Sequence, residues 1–164
     1  MNNDLTHDIE LYPPNVFKTL LDHEVNKSRR YGDSLTLIHL AVETDPATAE
    51  AQHSAEVFAI NVLNVHLRDA DIPCKQGNEF LILMPFTSAP GARTACERLR
   101  RLMTVEHQTY DKVSFQLSAF IGMATMPVDH LMPSNELAEN ASKALHYART
   151  NRLTSVAAFS EIYK

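Results

Sequence analysis

The chain has 164 residues, with 15 Lys+Arg against 20 Asp+Glu and a formal charge of −5. That balance excludes a protein carried to nucleic acid by bulk charge, and no apolar run nears the ~18 residues of a membrane span. The four glycines fall well short of the ~7% that is typical, and neither GxxxxGK(S/T) nor GxGxxG occurs, which excludes glycine-rich phosphate loops.

Residues 1–10 read as a flexible lead-in and 11–164 as one domain, since ~100–200 residues is the usual domain size. Pro13-Pro14-Asn15 punctuates the start, with Asn15 the expected cap of a helix whose apolar side is Phe17, Leu20, Leu21 and Val25. Lys27 to Arg30 puts cations at its far end, where they suit the helix dipole, and Tyr31-Gly32-Asp33 stops it. Leu35 to Val42 is short and mostly apolar, as a buried strand is. A loop broken by Pro46 leads to a second helix from about Ser54 to Leu67, with Phe58, Val62 and Val65 at helical spacing. Ile72 to Lys75 and Glu79 to Met84 flank a tight turn at Gln76-Gly77-Asn78 and predict a β-hairpin. Ala92, Ala95, Cys96, Leu99 and Met103 trace a third helix. Alternation from Phe115 to Ile121 gives a strand ending at Gly122. Ser134 is the expected cap of a helix carrying Leu137, Ala141, Ala144, Leu145 and Ala148, and Ser155 to Phe159 is a last short strand. Helices and hairpins without regular βαβ alternation predict an α+β domain around a mainly antiparallel sheet.

Cys74 and Cys96, without a CxxC, read as reduced packing thiols of a cytoplasmic protein, and the polar start MNNDLTHDIE is not a signal peptide. The eight histidines form no HxxxH or HExxH pair, so no metal and no cofactor are expected.

The hairpin carries a more specific signal. Gln76-Gly77-Asn78-Glu79-Phe80, followed by Leu-Ile-Leu-Met-Pro, resembles the GGDEF signature of diguanylate cyclases. The resemblance extends over about residues 11 to 160. Leu11 to Asn15 with Phe17 stands where that family has its D-x-L-T-G-L-x-N opening, and Arg29-Arg30-Tyr31-Gly32 precedes the first strand as in the family. Ser118 to Gly122 is similar to its S-I-G strand, and Ala141 to Arg152 to its A-L-Y-x-A-K closing helix. The resemblance implies a five-stranded, mainly antiparallel sheet flanked by helices, related to class III nucleotide cyclases. It also implies a reaction in which two GTP-loaded subunits condense two GTP into cyclic di-GMP with divalent cations.

Residue by residue, the resemblance implies a degenerate member. The family's first metal-binding aspartate falls on Ala41, and its second acidic ligand on Asn78, whose amide is a weaker ligand for a hard dication. Glu79 survives but cannot rebuild the metal site alone. Gln76 replaces a glycine that lets the backbone approach the nucleotide, and the guanine-gripping segment is shortened to Asp45–Glu56, with Ala55 near its aspartate. Arg149 and Arg152 are what remains of the basic pair that meets the triphosphate. Pro13 or Pro14, Ala55, Gln76 and Asn151 stand at or near the family's glycine turns, so the glycine shortage follows the loss of GTP-handling turns.

Many family members also carry an inhibitory R-x-x-D site that binds cyclic di-GMP. Arg68-Asp69-Ala70-Asp71 stands in that place, and counting forward from Phe80 puts the site's second arginine on Arg98. A guanidinium fork meets a guanine edge or a phosphate in two hydrogen bonds, and a carboxylate accepts from guanine N1–H and N2–H₂. The plainer readings are that Arg68 caps a helix end, Asp71 starts a turn, and Arg98 belongs to a solvated face with Arg93, Arg100 and Arg101. Three functions stay open: a catalytically inactive cyclic di-GMP receptor, a nucleotide-independent dimerisation or docking module, and a residual cyclase. The first is the leading expectation, with a homodimer or a partner signalling protein as output.

Overall fold

A computed structural model describes residues 11–110 and 112–163; the expected lead-in at 1–10 lies outside the described residues. The elements run α1 (Pro14–Tyr31), β1 (Leu35–Asp45), α2 (Ala49–His66), β2 (Ile72–Gln76), β3 (Glu79–Pro85), α3 (Ala89–Met103), β4 (Val105–Tyr110), β5 (Val113–Thr125), α4 (Ser134–Thr150), β6 (Ala157–Ala158) and α5 (Phe159–Ile162). The sheet order is β2-β3-β1-β5-β4, all antiparallel, with the two-residue β6 added in parallel to β5. This is the expected α+β architecture. No helix among the described residues is long and apolar enough to cross a membrane.

Strand alternation sorts the sheet into two faces. Ile38, Leu40 and Val42 of β1 and Phe80, Ile82 and Met84 of β3 meet α2 and α3. Leu35, Leu37, Leu81 and Leu83 point the other way, onto Phe17, Leu21 and Val25 of α1 and Leu137 and Ala141 of α4. Further along that second face, Ala41 and Phe120 lie under Ala144, Leu145 and Ala148 of α4. Each such fully buried Leu, Ile or Phe contributes about 1.5–3 kcal/mol. Gly122 permits the α4 contact: a Cβ there would stand 2.6 Å from the Ala144 carbonyl carbon, 2.7 Å from Ala141 O, and closer still to Leu145 N. In the hairpin, Gln76 pairs with Glu79, leaving a two-residue turn with φ +65° at Gly77, as in a type II′ turn.

Several boundaries differ from those predicted. Helix α1 begins at Pro14 with Pro13 in the cap position, so Asn15 lies inside the first turn and makes no cap. Proline suits that place because the first helical N–H has no partner anyway. Helix α2 starts five residues early, at Ala49, where the Thr48 hydroxyl accepts from Ala51 N–H at 3.1 Å. Its buried face is Ala51, Ser54, Ala55, Ala59 and Leu63, and Val65, expected in the core, is 74% exposed. Pro133, not Ser134, takes the cap position of α4, and the Ser134 hydroxyl donates instead to Asp22 of α1. That bond, with the Lys18 ammonium, holds the Asp22 carboxyl below its ordinary pKa and ties α1 to α4. The edge strand β4 was not expected, and the last strand shrinks to Ala157–Ala158 because Phe159 opens α5.

Candidate functional site

Two groups of the singled-out residues come together at different ends of the sheet. The first lies at the end of β1 and the hairpin, beneath the C-terminal half of α4. Ala41 pairs with Glu79 across β1 and β3, and their side chains share the α4 face with His39 and Glu43, two positions either side of Ala41 on β1. Arg149 and Arg152 enter from the end of α4. Arg149 donates to Glu79 Oε2 at 2.9 Å and to Glu43 Oε2 at 3.2 Å. Arg152 donates to Glu43 Oε1 at 2.7 Å and lies over the Phe120 ring, 4.7 Å from its centroid. On the other side, Glu79 Oε1 is 2.7 Å from His39 Nε2.

The result is a ladder, His39–Glu79–Arg149–Glu43–Arg152, in which each arginine meets a carboxylate and the imidazole caps one end. A carboxylate can only accept, so His39 Nε2 carries the proton, and its Nδ1 is left buried without a partner. Burial pushes the His39 pKa down by more than Glu79 raises it, which keeps the ring neutral. Partial burial works against the Glu43 carboxylate, but Arg152 and Arg149 outweigh it and hold its pKa below the ordinary range.

The donor set does not suit a dication carrying a triphosphate. Ala41 offers no side-chain oxygen, Asn78 is exposed in the turn, and Glu43 and Glu79 are already matched by arginine. Among the described residues no three His, Cys, Asp or Glu side chains gather as a metal group. Arg149 and Arg152, expected as remnants of a phosphate grip, are therefore engaged by the protein's own carboxylates. The left-handed residue of this last turn is Arg152, at φ +48°; Asn151, expected near the family's glycine, has φ −95°. Glu43 and His39 were missed from sequence, although the alternation of β1 puts both on the face of Ala41. Gln76 and Gly77 are exposed at the hairpin tip, while Phe80 is buried in the α2/α3 core.

The second group lies at the opposite end of the hairpin. Arg68 to Asp71 forms a tight turn between α2 and β2, in which Asp71 N–H donates to Arg68 O at 3.0 Å. Asp71 is turned inward, its side chain 4% exposed, and accepts from Arg68 N at 2.9 Å and from Arg68 Nη2 at 2.8 Å. Arg68 Nη2 also reaches Pro85 O at 3.2 Å and Thr87 Oγ1 at 2.7 Å. Nε also turns to Asp71 Oδ2 at 3.5 Å, which leaves Nη1 without a hydrogen-bond partner among the described residues, and the side chain is 54% exposed. Arg98, on α3, is exposed and makes no side-chain hydrogen bond among the described residues. Arg68, Asp71 and Arg98 line one cavity of about 290 Å³, together with His66, Phe86 and Thr87. Asp71 thus closes the turn, and the two arginines reach the same cavity.

Both cysteines are buried and free, Cys74 against the α1 side and Cys96 on α3, and burial pushes both thiols up. Neither is set up as a nucleophile.

Comparison with known proteins bears on these two sites. No curated protein sequence matches the chain. Among solved structures, the GGDEF domain of DgcB from Caulobacter crescentus, in complex with c-di-GMP, superposes with a TM-score of 0.81 at 15% identity, covering 96% of each chain. The active GGEEF domain of a diguanylate cyclase from Vibrio cholerae gives 0.80 at 13% identity, over 92% of this chain and 98% of that one. Diguanylate cyclase SiaD, in complex with its activator SiaC from Pseudomonas aeruginosa, gives 0.78 at 21% identity, over 90% of this chain and 58% of that one. These likenesses carry the fold. The sequence profile described as diguanylate cyclase, GGDEF domain, matches residues 57–154, which is more than half of the chain and contains the hairpin, both arginine sites and α4. The chain belongs to the GGDEF family.

Proposed function

We propose that this domain is a receptor for cyclic di-GMP that does not condense GTP. The observation that carries the reading is the convergence of Arg68 and Arg98 on one cavity beside the hairpin. Arg68 is held by the buried Asp71 and by Thr87, so its free Nη1 is pre-aimed and loses little freedom on binding. Arg98 brings a second, uncommitted guanidinium. One anchored and one free guanidinium suit a ligand with guanine edges and phosphates, and they stand out on a chain whose formal charge is −5. In this arrangement Asp71 positions Arg68 rather than reading guanine itself. That the DgcB domain was solved with c-di-GMP is consistent with a ligand of this class.

Support for the absence of turnover comes from the other end of the hairpin. A triphosphate would have to displace Glu43 and Glu79 from Arg149 and Arg152, and would find alanine at position 41.

Isothermal titration calorimetry of the domain with cyclic di-GMP, with GTP in parallel, tests both halves. Heat is expected with cyclic di-GMP and lost in Arg98→Ala; no heat with the wild-type domain refutes the receptor reading. Incubation with GTP and Mg²⁺ or Mn²⁺ is expected to yield no cyclic di-GMP, and any product overturns the reading of Ala41 and the ladder.

A further inference from the structure

The arginine cavity ends on a residue with an unusual backbone conformation. Phe86 follows β3 with φ +55°, in the left-handed region that a bulky side chain rarely occupies. Its ring is 61% exposed and belongs to none of the packed clusters. Both neighbours of Phe86 are nevertheless pinned. Arg68 Nη2 donates to Pro85 O and to Thr87 Oγ1, Thr87 Oγ1 donates to Pro85 O at 2.9 Å, and Thr36 Oγ1 donates to Thr87 O at 2.9 Å. A strained residue persists when its surroundings over-determine it, and such residues gather at binding sites.

Phe86 lines the cavity of Arg68 and Arg98. Lys27 Nζ, 3.6 Å from Glu24, sits over its ring at 5.4 Å from the centroid. Lys27 leads onto a second concavity of about 350 Å³ along α1, lined by His23, Asn26, Arg30 and Tyr31. The first cavity, about 290 Å³, falls just below the ~300–1,000 Å³ range of pockets that enclose a drug-sized ligand. A two-base ligand therefore leaves part of itself outside, next to Phe86.

We propose that Phe86 is a base-stacking platform at the rim of this site, on which one base of a cyclic dinucleotide lies, with Lys27 supplying the cation for the adjoining phosphate. The inference rests on the receptor reading and names which surface takes the part of the ligand that the arginine cavity cannot hold. An aromatic face accepts any purine, so Phe86 supplies affinity, while the arginines read the guanine edge.

The test titrates cyclic di-GMP into the wild-type domain and the Phe86→Tyr, Phe86→Leu, Phe86→Gly and Lys27→Gln variants, with thermal melts of each. Base–aromatic stacking predicts binding about 5- to 150-fold weaker in Phe86→Leu and Phe86→Gly, and within about twofold of wild type in Phe86→Tyr. Phe86→Gly is also expected to melt about 2–4 °C above wild type, because glycine occupies positive φ without strain. Lys27→Gln is expected to weaken binding and to flatten its salt dependence. Wild-type affinity in Phe86→Leu, with the wild-type domain binding, overturns the stacking role and leaves the receptor reading standing. A lower melting temperature in Phe86→Gly overturns it too, since the ring would then serve the fold. No binding by the wild-type domain overturns both.

Discussion

Glu43→Gln is the sharpest probe of the charge ladder. The substitution keeps the shape of the side chain and removes the charge that Arg152 meets at 2.7 Å and Arg149 at 3.2 Å. With about a third of the Glu43 side chain exposed, water screens these pairs. Exposed or half-exposed pairs of this kind contribute about 0.2–1 kcal/mol each, so two contacts set the loss at about 0.4–2 kcal/mol. For a domain of this size that is a fall in Tm of about 1–8 °C. The glutamine oxygen still accepts one neutral hydrogen bond, which favours the lower end.

The pH dependence separates charge from shape. The folded-state pKa of Glu43 is depressed below its unfolded value of 4.5. Its contribution is therefore complete above the unfolded pKa and is lost as pH falls through the depressed folded value. Urea denaturation of wild type and Glu43→Gln from about pH 7 to pH 3 is expected to show the full difference at neutrality and its disappearance in acid. A double-mutant cycle with Arg152→Gln should return a coupling of about 0.5 kcal/mol or more. A stability loss that stays constant across the whole pH range would refute the electrostatic account and leave only a packing role for Glu43.

Arg98→Ala is expected to leave stability within about 0.5 kcal/mol while weakening cyclic di-GMP binding about tenfold or more, by thermal melts and calorimetry. Arg68→Ala, in contrast, strips the partner from a carboxylate whose side chain is 4% exposed, and should cost about 3 kcal/mol of stability as well as the ligand. Gly122→Ala drives a Cβ into the α4 backbone and should cost about 3 kcal/mol or more, readable as a loss of soluble protein or a deep fall in Tm. Cys74 and Cys96, fully buried with raised thiol pKa values, are expected to react with a thiol reagent only at the rate of unfolding.

How far the sequence could be read depended on how each element buries itself. Helices α3 and α4 were legible because their stripes, Ala92-Cys96-Leu99-Met103 and Leu137-Ala141-Ala144-Ala148, are the surfaces that meet the sheet. Helix α2 was legible in part: Phe58 and Val62 pack at the margin of the core, while Val65 is exposed. Its fully buried face is made mostly of small residues, Ala51, Ala55 and Ala59, with Leu63, since alanine lets a helix axis come close. Strand β4 was invisible because it is an edge strand; Val105–Tyr110 has no fully buried residue to mark an alternation. Strand β1 runs three residues beyond the predicted end, through Glu43, Thr44 and Asp45, because ladder pairing to Ser118, Leu117 and Gln116 continues where burial stops.

The same distinction explains the two sites. Arg68, Asp71 and Arg98 could be singled out through the family resemblance because they flank the signature hairpin that carries it, and the structure places them on one cavity. The ladder could not, because it joins β1, β3 and the end of α4 over separations of 40 to 109 residues, and no local pattern records which carboxylate an arginine will choose. The two outcomes are nevertheless linked. With alanine at position 41, Arg149 and Arg152 near a single surviving Glu79 would be excess positive charge under a helix. Glu43, on the same face of β1, brings the second carboxylate that balances them. That balance gives the hairpin a fixed base without a bound nucleotide. A rigid β2–β3 hairpin is also what holds Arg68 against Asp71 and Thr87 at its other end. Neutralising one end of the hairpin therefore stabilises the geometry of the other, and weakening the ladder by Glu43→Gln should loosen the cavity of Arg68 and Arg98 as well. Hydrogen exchange at Arg68 to Asp71, compared between wild type and Glu43→Gln, reads that coupling, and unchanged protection there would show that the two ends of the hairpin are independent.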